Sequence, residues 1–170
     1  SARQDIAEDE LEACFKFDLP DRYAAAWDAQ RVIMATEMAH NLGKLIDKGG
    51  ELISKTMRDL IEEGRKTTAV RYLAAVADAE PLRQSLNQLF QQECTAIITL
   101  AAPGVAPKGT ATGNPAFCTL WTYVGLPAIT IPLMTGEGGM PLGVQLVGPS
   151  GDDARLLRTA RALVKELSKN

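Results

Sequence analysis

The amino-acid sequence predicts an α/β protein in which helices pack on a mixed β-sheet. Before residue 93, apolar side chains recur every three or four positions, which is typical of amphipathic helices. Residues 96–100 form a short β-branched run, and residues 127–133 and 142–148 alternate in the manner of strands. We therefore expect a single partial domain. Its residues 1–94 are mainly helical, and residues 95–170 supply strands, a hairpin and a C-terminal helix.

Caps and breakers predict the boundaries of the first two helices. Residues 5–19 carry apolar positions at roughly helical spacing, and Pro20 ends that segment. Asp21 is a candidate N-cap for a longer helix over 21–48. Two glycines, at positions 49 and 50, follow its last residue and are expected to end it.

Two further helices are predicted before the sheet. One covers residues 51–63, with Gly64 as its C-cap. The next runs from residue 69 toward residue 92 behind a pair of capping threonines. We expect Pro81 to break or kink that run into two helices, because proline lacks a backbone donor and clashes with the preceding turn.

The second half of the chain predicts strands. Residues 96–100 suit a strand that is buried on both faces. Residues 127–133 and 142–148 flank a glycine-rich connection, which predicts a hairpin entered through a short helical turn over 117–124. Two strands cannot bury both of their faces, so they must belong to a larger sheet. A capped final helix follows from residue 153.

The composition argues against several function classes. The 170-residue chain has a net charge of -3 and scattered basic residues, whereas a nucleic-acid surface needs a basic patch. No apolar run approaches the ~20 residues of a membrane helix. The first residues are charged, unlike the apolar core of a secretory signal. We therefore expect a soluble, cytoplasmic protein with no nucleic-acid or membrane partner.

Cysteine and histidine do not suggest a metal centre. Cys14, Cys94 and Cys118 are widely spaced and odd in number, which favours buried free thiols over a disulfide framework or a zinc site. His40 is the only histidine, and it has no carboxylate or serine at triad spacing. An exposed position on a helix is favoured over a catalytic base. We predict no metal site and no cofactor.

Other chemically suggestive residues have simpler explanations. Ser54 and Lys55 fall inside the predicted 51–63 helix, where a solvated polar face is favoured over a catalytic pair. The glycines at 136–139 precede no helix, which favours a hairpin loop over a phosphate cradle. Asp152 and Asp153 are explained by capping of the last helix and by its dipole.

Several residues of the second half resemble the C-terminal end of the amidase signature family. Their order is Phe117, Trp121-Thr122, GLPAI at 125–129, Pro132, GMPLGVQLVG at 139–148 and Asp153 before a leucine-rich helix. A weaker similarity extends back through Gly64, the run YLA at 72–74, Arg83 and Phe90. The resemblance is specific over the last ~100 residues and only compatible with the family before them.

The resemblance implies that the catalytic residues lie outside this chain. Enzymes of this family use a serine activated through a second serine and a lysine, all carried by a glycine- and serine-rich N-terminal segment. The 170 residues contain no such segment, so no catalytic residue is assigned here. We expect the chain to be the C-terminal half of a longer protein, inactive alone, with the N-terminal half as its partner.

The resemblance also implies a substrate-pocket wall. Phe117, Cys118, Trp121 and Thr122 fall where the family's corresponding segment lines the acyl side of the substrate site. The alternative is that these residues are core contacts of a helical turn under the sheet. Large aromatic side chains are favoured in both settings, so both interpretations stay open.

The predicted function is therefore that of an amidase. The parent protein would hydrolyse a carboxamide or related C–N bond of a small-molecule substrate through an acyl-serine intermediate. One alternative is the A component of a tRNA-dependent amidotransferase, which shares this C-terminal pattern. Another is a non-enzymatic helical interaction module built on the first ninety residues. Strands without neighbours expose backbone edges, so self-association is also expected.

Overall fold

Five helices and three strands make up the described part of the chain. The computed structural model describes residues 15–109 and 111–167. In chain order the elements are α1 (Ala26–Gly49), α2 (Lys55–Lys66), α3 (Ala69–Gln92), β1 (Ile97–Leu100), α4 (Ala116–Val124), β2 (Ala128–Thr135), β3 (Pro141–Val147) and α5 (Asp153–Leu167). The predicted α/β class is confirmed, with three helices before β1, α4 between β1 and β2, and α5 after β3.

The three strands pair in the order β1-β3-β2, and both pairings are antiparallel. β3 lies in the centre, with Val147 opposite Ile97 on one side and Ala128 on the other. The predicted hairpin is confirmed as β2 and β3. The register shifts between Ile131 and Met134, around Pro132, where a missing N–H is tolerated.

β1 is less buried than predicted. Its side chains alternate, with Ile97 and Thr99 half-buried while Ile98 and Leu100 are 48% and 37% exposed. The prediction of a strand buried on both faces is therefore wrong for the described residues. The physical reason is its position at the edge of this sheet, because α5 packs on β2 and β3 and leaves the same face of β1 open.

The helical hairpin of α1 and α2 corrects two predictions. Ser54 caps α2 instead of lying inside it, and its hydroxyl accepts a hydrogen bond from the Met57 N–H at 3.3 Å. Gly64 is not a C-cap but lies buried within α2. A Cβ atom at Gly64 would stand 1.9 Å from the carbonyl oxygen of Ala35, so glycine lets the two helices cross closely.

α3 runs through Pro81 without interruption, so the prediction of two helices is wrong. Ala75 before the proline and Leu86 and Phe90 after it are all buried, so packing holds the helix on both sides. The predicted cap is confirmed, because the Thr68 hydroxyl accepts from the backbone N–H of the third helical residue at 3.2 Å.

The predicted cap of α5 agrees with the structure, whereas the predicted start of α1 does not. The predicted start at Asp21 is a 3₁₀ turn over Asp21–Tyr23. α1 itself covers Ala26–Gly49 and is capped by Gly50, which has a φ of +51°. Asp152 caps α5 as predicted, accepting from the Arg155 N–H at 3.1 Å. Of the helix predicted over 5–19, residues 5–14 lie outside the described residues, and residues 15–19 are not helical.

The core has one cluster on each face of the sheet. Neighbouring β3 residues point to opposite faces, so Val147 joins the cluster under α4 while Leu146 joins the cluster under α5. The first cluster combines aromatic and aliphatic residues from the helices: Tyr23, Leu86, Phe90, Leu120, Trp121, Tyr123 and Val124. α4 therefore lies between the sheet and α1, which packs against it.

Candidate functional site

The candidate site is α4 together with the segment that enters it. The side-chain oxygen of Asn114 accepts a hydrogen bond from the Ala116 N–H at 2.9 Å, which satisfies a donor at the start of the helix. Gly125 ends α4 with a φ of +66°, a left-handed conformation that glycine adopts without strain. The chain then turns directly into β2. These two ends fix α4 over the sheet.

The structure distributes the four predicted pocket residues over different environments. Phe117 is half-buried, Cys118 and Thr122 are exposed, and Trp121 is only 6% exposed. The predicted burial of the thiols is therefore wrong for Cys118, whose thiol donates to the carbonyl oxygen of Pro115 at 3.2 Å on the surface of the helix. Phe117 and Trp121 are one helical turn apart and therefore lie on one side of α4. Trp121 and Thr122 border two different cavities.

Thr122 borders a groove between α4 and α1. The groove has a volume of about 480 Å³ and is lined mostly by α1 side chains, among them Ile33, Met34 and Met38. Its acidic residue, Glu37, accepts a hydrogen bond from the Tyr72 hydroxyl at 3.0 Å. The groove is therefore apolar over most of its length, and its carboxylate is already bonded.

Trp121 borders a second cavity, of about 860 Å³, beneath β1. The end of α3, residues 15–19 and the first turns of α5 complete its lining, which includes Cys94 and Arg155. Burial raises the pKa of the Cys94 thiol, with the nearby Glu93 carboxylate adding to the effect. A thiol with a raised pKa stays protonated and is a poor nucleophile.

The indole of Trp121 is an unusual feature of this core. Trp121 belongs to the buried cluster under α4, and its Nε1–H is the single buried side-chain polar atom without a hydrogen-bond partner among the described residues. An unbonded buried donor carries a free-energy cost of ~1–3 kcal/mol. The neighbouring Tyr123 shows the usual arrangement, because its hydroxyl donates to the Ala75 carbonyl oxygen and burial raises its pKa.

Two side chains outside the predicted site bond to the first turn of α4. The amide nitrogen of Gln145, in β3, donates to the carbonyl oxygen of Phe117 at 3.0 Å. The indole nitrogen of Trp27, in α1, donates to the carbonyl oxygen of Ala116 at 3.1 Å. Sequence reasoning missed both. The available signal was Gln145 itself, an amide at a position that the strand alternation assigns to the same face as Val147.

The described serines take part in hydrogen bonds within the fold. Ser54 caps α2, and the Ser85 hydroxyl accepts a hydrogen bond from the Arg22 guanidinium. The backbone N–H of Ser150 donates to Asn87 at 2.9 Å. His40 lies exposed on α1. Within residues 15–109 and 111–167, no three acidic, histidine or cysteine side chains come together in a metal-binding group. No helix in those ranges is long and apolar enough to cross a membrane.

Comparison with known proteins found a family model and curated relatives that match this chain. A family model described as Amidase matches residues 22–157, which include α1 to β3 and the start of α5. The A component of the glutamyl-tRNA(Gln) amidotransferase of Cupriavidus necator is 37% identical over 102 residues, covering 54% of this chain and 20% of that protein. The chain therefore spans about a fifth of the length of this curated relative.

Solved structures show the same fold. A fatty acid amide hydrolase superposes with a TM-score of 0.74 at 18% identity, over 89% of this chain and 33% of its own. An amidase crystal structure gives a TM-score of 0.68 at 23% identity, over 79% of this chain and 34% of its own. At these identities the likeness concerns the fold alone. In both, this chain corresponds to about a third of a larger structure.

Proposed function

The chain belongs to the amidase family, and on that premise we propose that it forms the C-terminal part of a hydrolase that cleaves a carboxamide or related C–N bond. The observation that carries this proposal is the family match over residues 22–157. The match includes the whole α4-β2-β3 unit, where the specific motifs of the sequence lie. The proposed substrate is a small-molecule amide.

The proposed reaction passes through an acyl-serine intermediate, with the serine supplied from outside these residues. The described serines support this division of labour, because Ser54 and Ser85 already bond to a backbone N–H and to an arginine. We assign Phe117, Cys118, Trp121 and Thr122 to the wall on the acyl side of the substrate. In this assignment the chain shapes the pocket, and the N-terminal half performs the bond-breaking steps.

The experiment compares the complete gene product with the isolated 170-residue chain on a panel of aliphatic and aromatic amides. We expect turnover of at least one amide by the complete protein and none by the isolated chain. Adding an N-terminal half expressed separately should restore part of the activity. Turnover by the isolated chain that is lost on replacing one of its own residues would refute the proposal, as would a complete protein that is inactive on every amide.

A second candidate is the C-terminal part of the A component of a tRNA-dependent amidotransferase. The 37% identity to the Cupriavidus necator protein over 102 residues favours it. The two functions differ in what the complete protein requires. A hydrolase cleaves small amides alone, whereas the amidotransferase component converts glutamyl-tRNA(Gln) to its amide only together with its partner proteins. Measuring both activities with and without charged tRNA distinguishes the candidates.

We further propose that the protein works in the cytoplasm. Cys94 and Cys118 are free thiols, and Cys118 is exposed, an arrangement that suits a reducing compartment. Fractionation of cells that express the complete gene product with an epitope tag tests this. Recovery in the soluble cytoplasmic fraction is the expected result. Recovery in a secreted or membrane fraction would contradict it.

A further inference from the structure

We propose that Gln145 and Trp27 are positioning residues, which hold the first turn of α4 from opposite layers of the fold and thereby fix the pocket wall. This inference rests on the proposed function, because the wall is the one assigned to Phe117 and Cys118 in that turn. Neither anchoring residue is assigned to contact the substrate. Both act through the backbone carbonyl groups of α4.

Gln145 supplies the anchor on the sheet side. It lies in the central strand β3, opposite Thr99 in β1 and Thr130 in β2, so its backbone is paired on both sides. Its side chain is only 4% exposed. A buried amide is costly unless it is hydrogen-bonded. The bond from its nitrogen to the Phe117 carbonyl oxygen, at 3.0 Å, supplies that partner and joins the rigid centre of the sheet to α4.

Trp27 supplies the anchor on the helical side. It stands in the first turn of α1, where its side chain is 40% exposed, and its indole N–H reaches the Ala116 carbonyl oxygen at 3.1 Å. Ala116 and Phe117 are consecutive residues. The helical layer therefore bonds to one carbonyl group, and the sheet bonds to the next. A carbonyl oxygen has two lone pairs. These side-chain bonds therefore add to the helical hydrogen bonds instead of replacing them.

The two anchors matter because the chain entering α4 has little support of its own. From Ala101 to Pro115, the described residues form neither helix nor strand. Without side-chain anchors, the first turn of α4 would be free to shift or fray together with this segment. Misplacing a binding group by about 1 Å can cost up to ~100-fold in rate. Loss of an anchor should therefore change how the wall discriminates between acyl groups.

The test uses variants of the complete gene product that remove only the donors. Gln145→Met preserves side-chain length, and Trp27→Phe preserves an aromatic ring. Gln88→Met is the matched control, because Gln88 is an exposed glutamine of α3 that borders neither cavity. Two measurements are made: amide hydrogen exchange over residues 114–122, and kcat/KM on two amides that differ in acyl bulk. The double variant shows whether the two anchors act together.

We expect each single variant to accelerate exchange in the first turn of α4 by about fivefold, the equivalent of one neutral hydrogen bond. The ratio of kcat/KM values for the two amides should shift by a similar factor. The double variant should show a larger change than either single variant in both measurements, and Gln88→Met should change neither. If Gln145→Met does not fold, Trp27→Phe at its half-exposed position serves instead.

Equal acceleration in α3 and α4, with both amides affected in the same proportion, would overturn the inference, because that pattern indicates general destabilisation. Unchanged exchange in α4 would overturn it as well. Failure of the proposed function has a different signature: the unmodified complete protein would hydrolyse no amide. In that case faster exchange confined to α4 would still establish the anchors, while their role in substrate choice would be refuted.

Discussion

Gly64 sets the distance between α2 and α1. A Cβ atom there would stand 1.9 Å from the Ala35 carbonyl oxygen, a backbone atom that cannot move aside. Gly64→Ala should therefore separate the helices and lower the free energy of unfolding by ~1–3 kcal/mol. This loss is the net change, after the gain of up to ~1 kcal/mol in helix propensity that alanine brings. Denaturant titration measures the change.

Gly104→Ala is the control for this substitution. An added Cβ atom at Gly104 meets no atom within 4 Å, and the glycine lies outside the helices. We expect its free energy of unfolding to stay within ~0.5 kcal/mol of the unmodified protein. A Gly64→Ala protein that is as stable as this control would show that the two helices can adjust without loss.

Replacing Trp121 distinguishes the pocket interpretation from the core interpretation, because the two predict different effects on substrate specificity and stability. If it lines the pocket, Trp121→Ala should change kcat/KM by different factors for different acyl groups. The corresponding loss of transition-state stabilisation is ~1–3 kcal/mol for each misplaced apolar contact. If it is purely core, stability should fall by ~3–5 kcal/mol and all substrates should lose activity in proportion to the folded fraction. Its 6% exposure makes some loss of stability certain in both cases.

Melting temperature and relative specificity on two amides, measured on the same preparations, separate these cases. His40→Ala is the control, since His40 is exposed on α1 and borders neither cavity, so its replacement should alter neither quantity. Trp121→Phe should lose much less stability than Trp121→Ala, because it keeps an aromatic ring and removes the unbonded N–H. A proportional loss of activity with a lower melting temperature would exclude Trp121 from the pocket wall.

At the scale of elements, α3 shows tertiary packing overriding a local breaker. Pro81 lacks the N–H that would bond within the helix, an intrinsic cost of ~3 kcal/mol relative to alanine. Burial of Ala75, Leu86 and Phe90 on either side holds the helix together despite this. Pro81→Ala should therefore raise the free energy of unfolding, by ~1–3 kcal/mol, because it restores a donor to a conformation that already exists.

Thermal and denaturant unfolding measure the effect of Pro81→Ala. Gln91→Ala replaces an exposed residue near the end of the same helix and controls for helix propensity. Its free energy of unfolding should stay within ~0.5 kcal/mol of that of the unmodified protein. A destabilised Pro81→Ala protein would mean that the local geometry imposed by the proline is itself needed for the packing of Leu86 and Phe90.

At the scale of the whole molecule, the edge strand β1 determines the behaviour of the isolated chain. Ile98 and Leu100 are 48% and 37% exposed on a strand whose outer edge has no partner strand in the described sheet. An apolar edge with unpaired backbone groups is a template for pairing with another chain. We therefore expect the isolated 170-residue chain to self-associate as its concentration rises.

Sedimentation velocity over a wide concentration range tests this expectation. Ile98→Lys should shift the population toward the monomer, because a charge on an edge strand opposes pairing. Leu52→Lys is the control: Leu52 is 93% exposed but lies in the turn after α1, so its replacement should leave association unchanged. A clean monomer at every concentration, without a bound partner chain, would contradict the prediction.

The sequence by itself determined the features that depend on near neighbours in the chain. Side-chain periodicity predicts the alternation in β2 and β3. Local backbone preferences predict the cap at Thr68 and the helix ends at Gly50 and Gly125. The motif from Phe117 to Gly148 was enough to indicate the family, and the family match confirmed it. The roles of the four wall residues stay a prediction.

Only the tertiary structure decided features that depend on residues distant in the sequence. Glycine is typical of helix ends, but Gly64 lies within α2 and lets that helix cross α1 closely. The reason is Ala35, 29 residues away in the sequence, which occupies the space beside it. Trp121 and Thr122 are adjacent in sequence yet border different cavities, because α1 and the α3 end approach α4 from different sides. Local periodicity predicts which face of an element is apolar, but the partner that covers that face, and its distance, are fixed only when the elements pack together.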